Sequence, residues 1–257
     1  MKVAVIGMGL IGGSLYKAAL EAGYSCRGFD RQDTPELGDC DVVLLALPQE
    51  VLPGWAAEYG KSIRPGTIVV DTCGMKAAIC KELGRLLPKE CIFVGGHPMA
   101  GKEVSGWANA SADLFRNASM ILTPYPYMGR APLDALERFF TSLGFARVVF
   151  TSPERHDEMI AYTSQLCHII SSAYLREPLS REHSGFSAGS FRDMVRVGAP
   201  DPQVWTELFL SNRDNLSDVL GRYIKRLEDF KAAIDSADTA ALKAQLAEGK
   251  AAKEAIL

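Results

Sequence analysis

An α/β half followed by an all-α half is the fold class predicted for this chain of 257 residues, on three observations. Short apolar, β-branched runs alternate with helix-spaced segments through the first 150 residues. A glycine-rich turn sits between the first such run and the first helix. Beyond Thr151-Ser152-Pro153 no further strand pattern is found. Alternation of this kind implies a mostly parallel sheet covered on both faces. The expected domains are 1–151, nucleotide-binding and sheet-based, and 152–257, helical.

The elements follow in order. Lys2-Val3-Ala4-Val5-Ile6 reads as a strand. Residues 14–22 have helical spacing, with Gly23 as a stop. Residues 24–29 form a second strand ending at Asp30. Residues 41–47 are a continuous apolar run closed by Pro48, as in a strand buried on both faces. The segments 67–70, 91–94 and 119–122 repeat that pattern. Residues 132–143 form an amphipathic helix leading into a strand at 146–150. Helical spacing returns at 154–175, 202–230 and 238–256, whereas Pro178, Gly185, Gly189, Gly198 and Pro200 break up 176–200. Only residues 31–40 separate Asp30 from the next strand, and a parallel crossover with its helix takes about 10–12 residues or more. Any helix there is a single turn or absent, or a strand is missing.

Gly7-Met8-Gly9-Leu10-Ile11-Gly12 fits G-x-G-x-x-G and lies between a strand and a helix, the context that gives the pattern meaning. Gly7 allows the tight turn, Gly9 lets the backbone approach a pyrophosphate, and Gly12 lets helix and strand pack closely. The helix N-terminus offers free N–H groups and partial positive charge to phosphates. Asp30, 18 residues beyond Gly12, can accept hydrogen bonds from ribose hydroxyls and repels a 2′-phosphate. NAD is therefore favoured over NADP, with Arg31 as the opposing feature, since a guanidinium can accept a phosphate. The expected cofactor contacts are Gly7, Met8, Gly9, Leu10, Ile11, Gly12, Asp30, Arg31 and Leu47, the last at the end of the 41–47 strand. The sheet is thus read as Rossmann-like.

Composition narrows the function classes. Lys+Arg number 28 against 31 Asp+Glu, a net charge of -3, which argues against an electrostatic nucleic-acid binder. No stretch approaches the roughly 18 apolar residues of a membrane span, and the N-terminal run is too short and glycine-interrupted for a signal peptide. The six cysteines form no C-x-x-C pair and read as reduced thiols in a cytoplasmic protein. The four histidines do not supply the clustered spacing of a metal site.

The chemically richest segment is Gly95-Gly96-His97-Pro98-Met99-Ala100-Gly101-Lys102-Glu103, following the 91–94 strand. Ligands of open parallel sheets sit outside the carboxyl ends of the strands. His97 is thereby placed toward the reactive end of the cofactor, and imidazole can take a proton from an alcohol near pH 7. The alternative is a histidine tied to a backbone carbonyl. In the helical half, His156, Ser164 and His168 are spaced to share a helix face. Asp193 and Arg196, at i and i+3, can pair, and an arginine held by an aspartate is a fork for a carboxylate. An ordinary surface ion pair is the competing reading.

These motifs resemble the prephenate and arogenate dehydrogenases of tyrosine biosynthesis. The likeness is carried by GMGLIGGS, Asp30, Asp71…Lys76, GGHPMAGKEVSG, His156-Asp157, Ser164-x-Leu166-x-His168, FRDMVR at 191–196, and DPQVW with Asn212 and Asn215. It implies a Rossmann domain followed by a helical dimerisation domain, and hence a homodimer. It implies NAD-dependent oxidative decarboxylation, with hydride leaving ring C4 and CO2 leaving C1. It also implies His97 as acceptor and base for the 4-hydroxyl, Arg196 as carboxylate ligand oriented by Asp193, and Gly74, Glu103 and His168 along the substrate. Lys102 is a second source of positive charge. Gly74 stands where the family commonly has Ser, so that hydroxyl contact is lost or is replaced by Thr72 or Cys73. The length leaves no room for a mutase or regulatory domain, so a monofunctional enzyme is expected. Prephenate and arogenate both remain open as substrates. A β-hydroxyacid dehydrogenase is disfavoured because 154–175 holds no lysine. A non-catalytic NAD sensor would not need His97, His168 and Arg196 together.

Overall fold

The computed structural model describes residues 1–102 and 104–256. Two compact units emerge. The first takes in Met1–Ile160 with Pro200–Ser211, the second 161–199 and the residues from 212 onward. Residues 152–160 and 200–211 thus group with the sheet-bearing unit.

The first unit is built on seven strands: β1 (Lys2–Ile6), β2 (Ser25–Phe29), β3 (Val42–Leu45), β4 (Ile68–Asp71), β5 (Ile92–Pro98), β6 (Ser119–Thr123) and β7 (Arg147–Phe150). Their order across the sheet is β2-β1-β3-β4-β5-β6-β7. Strand side chains alternate between faces. Val3, Val5, Val42 and Leu44 therefore join one core with Leu15, Ala18, Leu136, Phe139 and Phe140, from α1 (Leu10–Glu21) and α4 (Arg130–Ser142). Ala4, Ile6, Val43 and Leu45 join the other, with Leu52, Trp55, Ile79 and Leu83 from α2 (Leu52–Tyr59) and α3 (Ala77–Leu86). All four residues of β3 are buried, which is why its sequence is a continuous apolar run.

The parallel expectation holds for β1 to β5 and fails at β6. β6 runs antiparallel to β5, and β7 runs parallel to β6. Among the described residues, the chain between β5 and β6 holds two 3-10 turns, at Trp107–Asn109 and Ala112–Phe115, and no α-helix. With no crossover helix it re-enters the sheet from the edge it left, which an antiparallel neighbour allows. Pairing with β6 also extends β5: His97 stands opposite Ile121 and Pro98 opposite Met120. His97 is therefore a strand residue, three positions further into the sheet than the expected strand end.

The segment 31–40 contains no helix. β2 and β3 flank β1 on opposite sides, and β2 is an edge of the sheet. Buried Leu37 and Cys40 anchor the connection. Arg27 of β2 ties to it through Glu36 and Asp39.

Besides the sheet and its flanking helices, the first unit holds α5 (Pro153–Ile160) and α8 (Pro202–Ser211). The second unit opens with a π-helical turn (Ala161–Gln165) and α6 (Leu166–Leu175), then α7 (Gly189–Val195), α9 (Arg213–Asp235) and α10 (Thr239–Ala255). Uniform helix was expected over 154–175. The π turn means that α-helical spacing does not carry through residues 161–165, so Ser164 is not placed by it. The expected 202–230 helix breaks at Asn212. Its amide donates to Gln165 Oε1 at 2.8 Å and its Oδ1 accepts from the Asn215 amide at 2.9 Å. These side-chain bonds compete with an uninterrupted helix. Among the described residues, no helix is long and apolar enough to cross a membrane.

Candidate active site

The nucleotide loop is shaped as the glycine pattern implies. Gly7 adopts φ +91°, and a Cβ on it would stand 2.4 Å from the Ala46 carbonyl oxygen and 2.9 Å from Leu47 Cδ2. A Cβ on Gly12 would stand 1.8 Å from the Gly7 carbonyl oxygen. Gly9 is different: a Cβ there meets no protein atom within 4 Å. Its bareness serves nothing in the protein's own packing, and it leaves the backbone open for the close approach of a phosphate. The helix α1 begins at Leu10, inside the motif and four residues earlier than its spacing suggests, so its N-terminal amides stand beside that opening. Met8 lies against Gly28 of β2. Asp30 is exposed beyond the end of β2, its Oδ1 accepting from the Arg31 amide at 2.9 Å. Arg31 is exposed. Leu47 packs beside Gly7. The residues present fit a dinucleotide.

Three strand spacings of about 4.8 Å each separate β1 from β5, so the carboxyl ends of these strands lie roughly 14 Å apart along the sheet. His97 is half-buried at the end of β5. Its Nδ1 lies 2.8 Å from Nε2 of His156, on α5, and the rings meet edge to face. His156 Nδ1 lies 2.7 Å from Asp157 Oδ1. The Asp157 carboxylate also accepts the backbone N–H of Lys76 on Oδ1 and of Ala77 on Oδ2, both at 2.8 Å. It thereby caps the N-terminus of α3 from a different helix, where a negative charge is favoured. Among the described residues Nε2 of His97 has no hydrogen-bond partner, so the carbonyl-tied alternative does not hold. Burial, then the electrostatic interaction with the neighbouring His156, then the charge of Lys76 hold the His97 imidazolium well below its ordinary pKa of 6.5. His97 is therefore neutral at pH 7.

Beneath this chain lies an ion pair. Lys76 and Asp71 are both fully buried, with Nζ against Asp71 Oδ2. Nζ also donates to the Gly96 carbonyl at 2.7 Å, and Asp71 Oδ1 accepts the Gly96 N–H at 3.1 Å. The pair thus clamps the backbone immediately before His97 from both its donor and its acceptor.

Gly74 follows β4, and a Cβ on it would meet Leu208 of α8 at 3.4 Å. The two neighbours that could stand in for a serine there are engaged. The Thr72 hydroxyl donates to the Leu45 carbonyl at 3.3 Å, and the buried Cys73 thiol lies 3.8 Å from the Leu47 carbonyl. Burial raises the Cys73 thiol far above its ordinary pKa. Lys102 is exposed, and Glu103 lies outside the described residues.

Within the second unit, half-buried His168 places Nδ1 2.9 Å from the Val197 carbonyl oxygen. Arg196 follows α7 and is exposed, as is Asp193. The expected Asp193–Arg196 pair does not form. Among the described residues neither side chain has an ion-pair partner, because two exposed groups gain little from pairing in water.

Sequence reasoning took His156 only as a member of a helix face and Asp157 only as its neighbour. It treated Asp71 and Lys76 only as motif letters. His156 lies 59 positions from His97 and Asp157 lies 81 from Lys76. No local pattern announces either contact.

The family model for prephenate dehydrogenase, nucleotide-binding domain, matches residues 2–150, and that for prephenate dehydrogenase, dimerization domain, matches 152–248. A cyclohexadienyl dehydrogenase of Zymomonas mobilis is 32% identical, the match covering 92% of this chain and 89% of that protein. A prephenate dehydrogenase of Bacillus subtilis is 28% identical over 92% of this chain and 71% of its own length. The solved Synechocystis arogenate dehydrogenase superposes with TM-score 0.87 at 25% identity, covering all of both chains. The Aquifex aeolicus prephenate dehydrogenase, solved with hydroxyphenyl propionate and NAD+, superposes with TM-score 0.83 at 25% identity over 100% of this chain and 98% of that one.

Proposed function

This chain belongs to the prephenate dehydrogenase family, and from that premise we propose which of its groups bind the substrate and which take its proton. The activity is NAD-dependent oxidative decarboxylation in tyrosine biosynthesis. Prephenate would give 4-hydroxyphenylpyruvate and arogenate would give tyrosine. NAD, held by the Gly7–Gly12 loop and by Asp30, supplies the hydride acceptor.

His97 is the base. The observation that carries this assignment is its imidazole at the carboxyl end of β5, with Nδ1 engaged by His156 and, among the described residues, Nε2 without a protein partner. It accepts the proton of the ring 4-hydroxyl, so that the C4–H electron pair can leave as hydride. Aromatisation drives the rest, and the protein's task is chiefly to orient the ring and remove one proton. Arg196 binds a substrate carboxylate. Among the described residues its guanidinium has no ion pair to break, and it is permanently charged. His168 and Gly74 line the substrate, and Glu103 keeps the same expected role.

The deciding experiment is an activity matrix of NAD or NADP against prephenate or arogenate, followed at the NADH absorbance band. Turnover is expected with NAD and at least one of the two acids, and Arg196→Gln should raise KM for the accepted acid on the order of tenfold or more. Silence in all four combinations sinks the reading, and an unchanged KM removes Arg196 from it.

The second unit supports a homodimer. Ile224, Leu227 and Ile234 of α9 and Leu246 of α10 are exposed, more apolar surface than an isolated helical unit leaves in water by choice. Sedimentation equilibrium should return twice the chain mass, and a monomer at micromolar concentration would contradict it. The exposed Cys167, which forms no disulfide among the described residues, supports the reading of a cytoplasmic location.

A further inference from the structure

We propose that Ser171 is a positioning residue for Arg196, fastening the main chain beside that guanidinium from a place too buried to touch the substrate itself. The inference rests on the reading of Arg196 as the ligand of a substrate carboxylate, and deepens it.

α7 ends at Val195, and the last carbonyls of a helix have no partner within it. Here the chain around that end is taken up by α6. The Ser171 hydroxyl donates to the Met194 carbonyl at 2.7 Å. One turn earlier on the same helix face, His168 Nδ1 lies 2.9 Å from the Val197 carbonyl oxygen. A carbonyl only accepts, so that nitrogen carries the proton and donates. The Gly198 N–H closes the turn on the Val195 carbonyl at 3.0 Å. Arg196 therefore sits between two fastened carbonyls, one two residues before it and one directly after it.

The joint is tight. Ser171 is 1% exposed, and its hydroxyl meets the demand of burial with a hydrogen bond. A Cβ on Gly198 would stand 2.3 Å from Leu175 Cδ1 and 2.8 Å from Ser171 Oγ. The bare glycine lets the chain after Arg196 lie directly on α6. For a carboxylate held by Arg196 this matters twice. Arginine carries its planar fork on a long flexible stem, so the aim of the fork depends on a fixed main chain. Arg196 is exposed, and among the described residues no ion-pair partner orients it, so its placing falls to the backbone. Carbonyls at a helix C-terminus also carry partial negative charge, which repels an anion. Ser171 and Gly198 occupy two of them with donors.

Steady-state kinetics on Ser171→Ala, Arg196→Gln and the double variant test this, with whichever of prephenate and arogenate the enzyme accepts. Ser171→Ala leaves the Met194 carbonyl without its donor. It should raise KM for the acid roughly three- to tenfold, the worth of about one hydrogen bond. kcat and KM for NAD should move by about twofold or less. A residue that only holds the fold together would lower the thermal midpoint without producing that split. In the Arg196→Gln background, Ser171→Ala should add less than about twofold to KM, because residues that act through one another are not additive. An unchanged KM in Ser171→Ala overturns the proposal, and so does a rise of equal size with and without Arg196. If Ser171→Ala fails to fold, Gly198→Ala crowds the same joint and is held to the same two outcomes. The two claims fail separately. A raised KM in Arg196→Gln beside a silent Ser171→Ala sinks the positioning role alone. An unchanged KM in Arg196→Gln sinks the carboxylate reading, and the positioning role with it.

Discussion

His97→Asn lowers kcat by about 10² to 10⁴, the usual contribution of a positioned general base, and leaves NAD affinity unchanged. The reason is geometric. The hydrogen-bonded partner of His97 is His156 of α5, whereas the loop is formed between β1 and α1. Asparagine is close in size to the first half of the imidazole and can still donate to His156, so the fold should survive. The variant would bind both substrates and fail to take the proton. Steady-state rates at the NADH band give kcat, and quenching of intrinsic fluorescence by NAD gives affinity. The unaltered enzyme should hold its rate on acidification to pH 6.5 and lose it only below, because the His97 imidazolium forms below that value. A base that must be neutral is lost as it protonates, so activity falls with falling pH and not with rising pH. A variant with intact turnover would remove His97 from the chemistry.

Lys76→Met lowers stability by about 3–5 kcal/mol, because it leaves Asp71 as an uncompensated charge in a fully buried site. For a chain of this size that corresponds to a fall in thermal midpoint on the order of 10 °C. Calorimetry on the purified variant reads it. The paired substitution Asp71→Asn with Lys76→Met removes both charges and should lie well above the single variant. A single variant within about 1 kcal/mol of the unaltered protein would show that water reaches the pair. The expected loss of activity is also large, since Lys76 and Asp71 hold the Gly96 carbonyl and N–H beside His97.

The sheet strands and the nucleotide loop were legible because each is written in a short window. A β-branched run followed by G-x-G-x-x-G and an acid at the next strand end states its own geometry. His97 was legible for a similar reason, following an apolar strand in a glycine-flanked turn. The helices α2 and α3 were not legible. Pro53 and Gly54 blur the first, and the second carries Gly84 within its ten residues. The reversal at β6 was hidden because an apolar strand looks the same in either direction. The His156 and Asp157 contacts were hidden because they depend on α5 packing against the start of α3, a tertiary event with no periodicity. Pairing of Asp193 with Arg196 was inferred from spacing alone, and spacing permits a contact without making it favourable in water.

One carboxylate, Asp157, both starts α3 and orients His156. The start of a helix and the orientation of an imidazole are therefore governed from a single atom group. Directed evolution commonly gains robustness at some expense to turnover, and the two can be adjusted independently where they reside in different side chains. At position 157 they cannot: any replacement is pleiotropic, and a library that tolerates change around Gly74 should find this site closed.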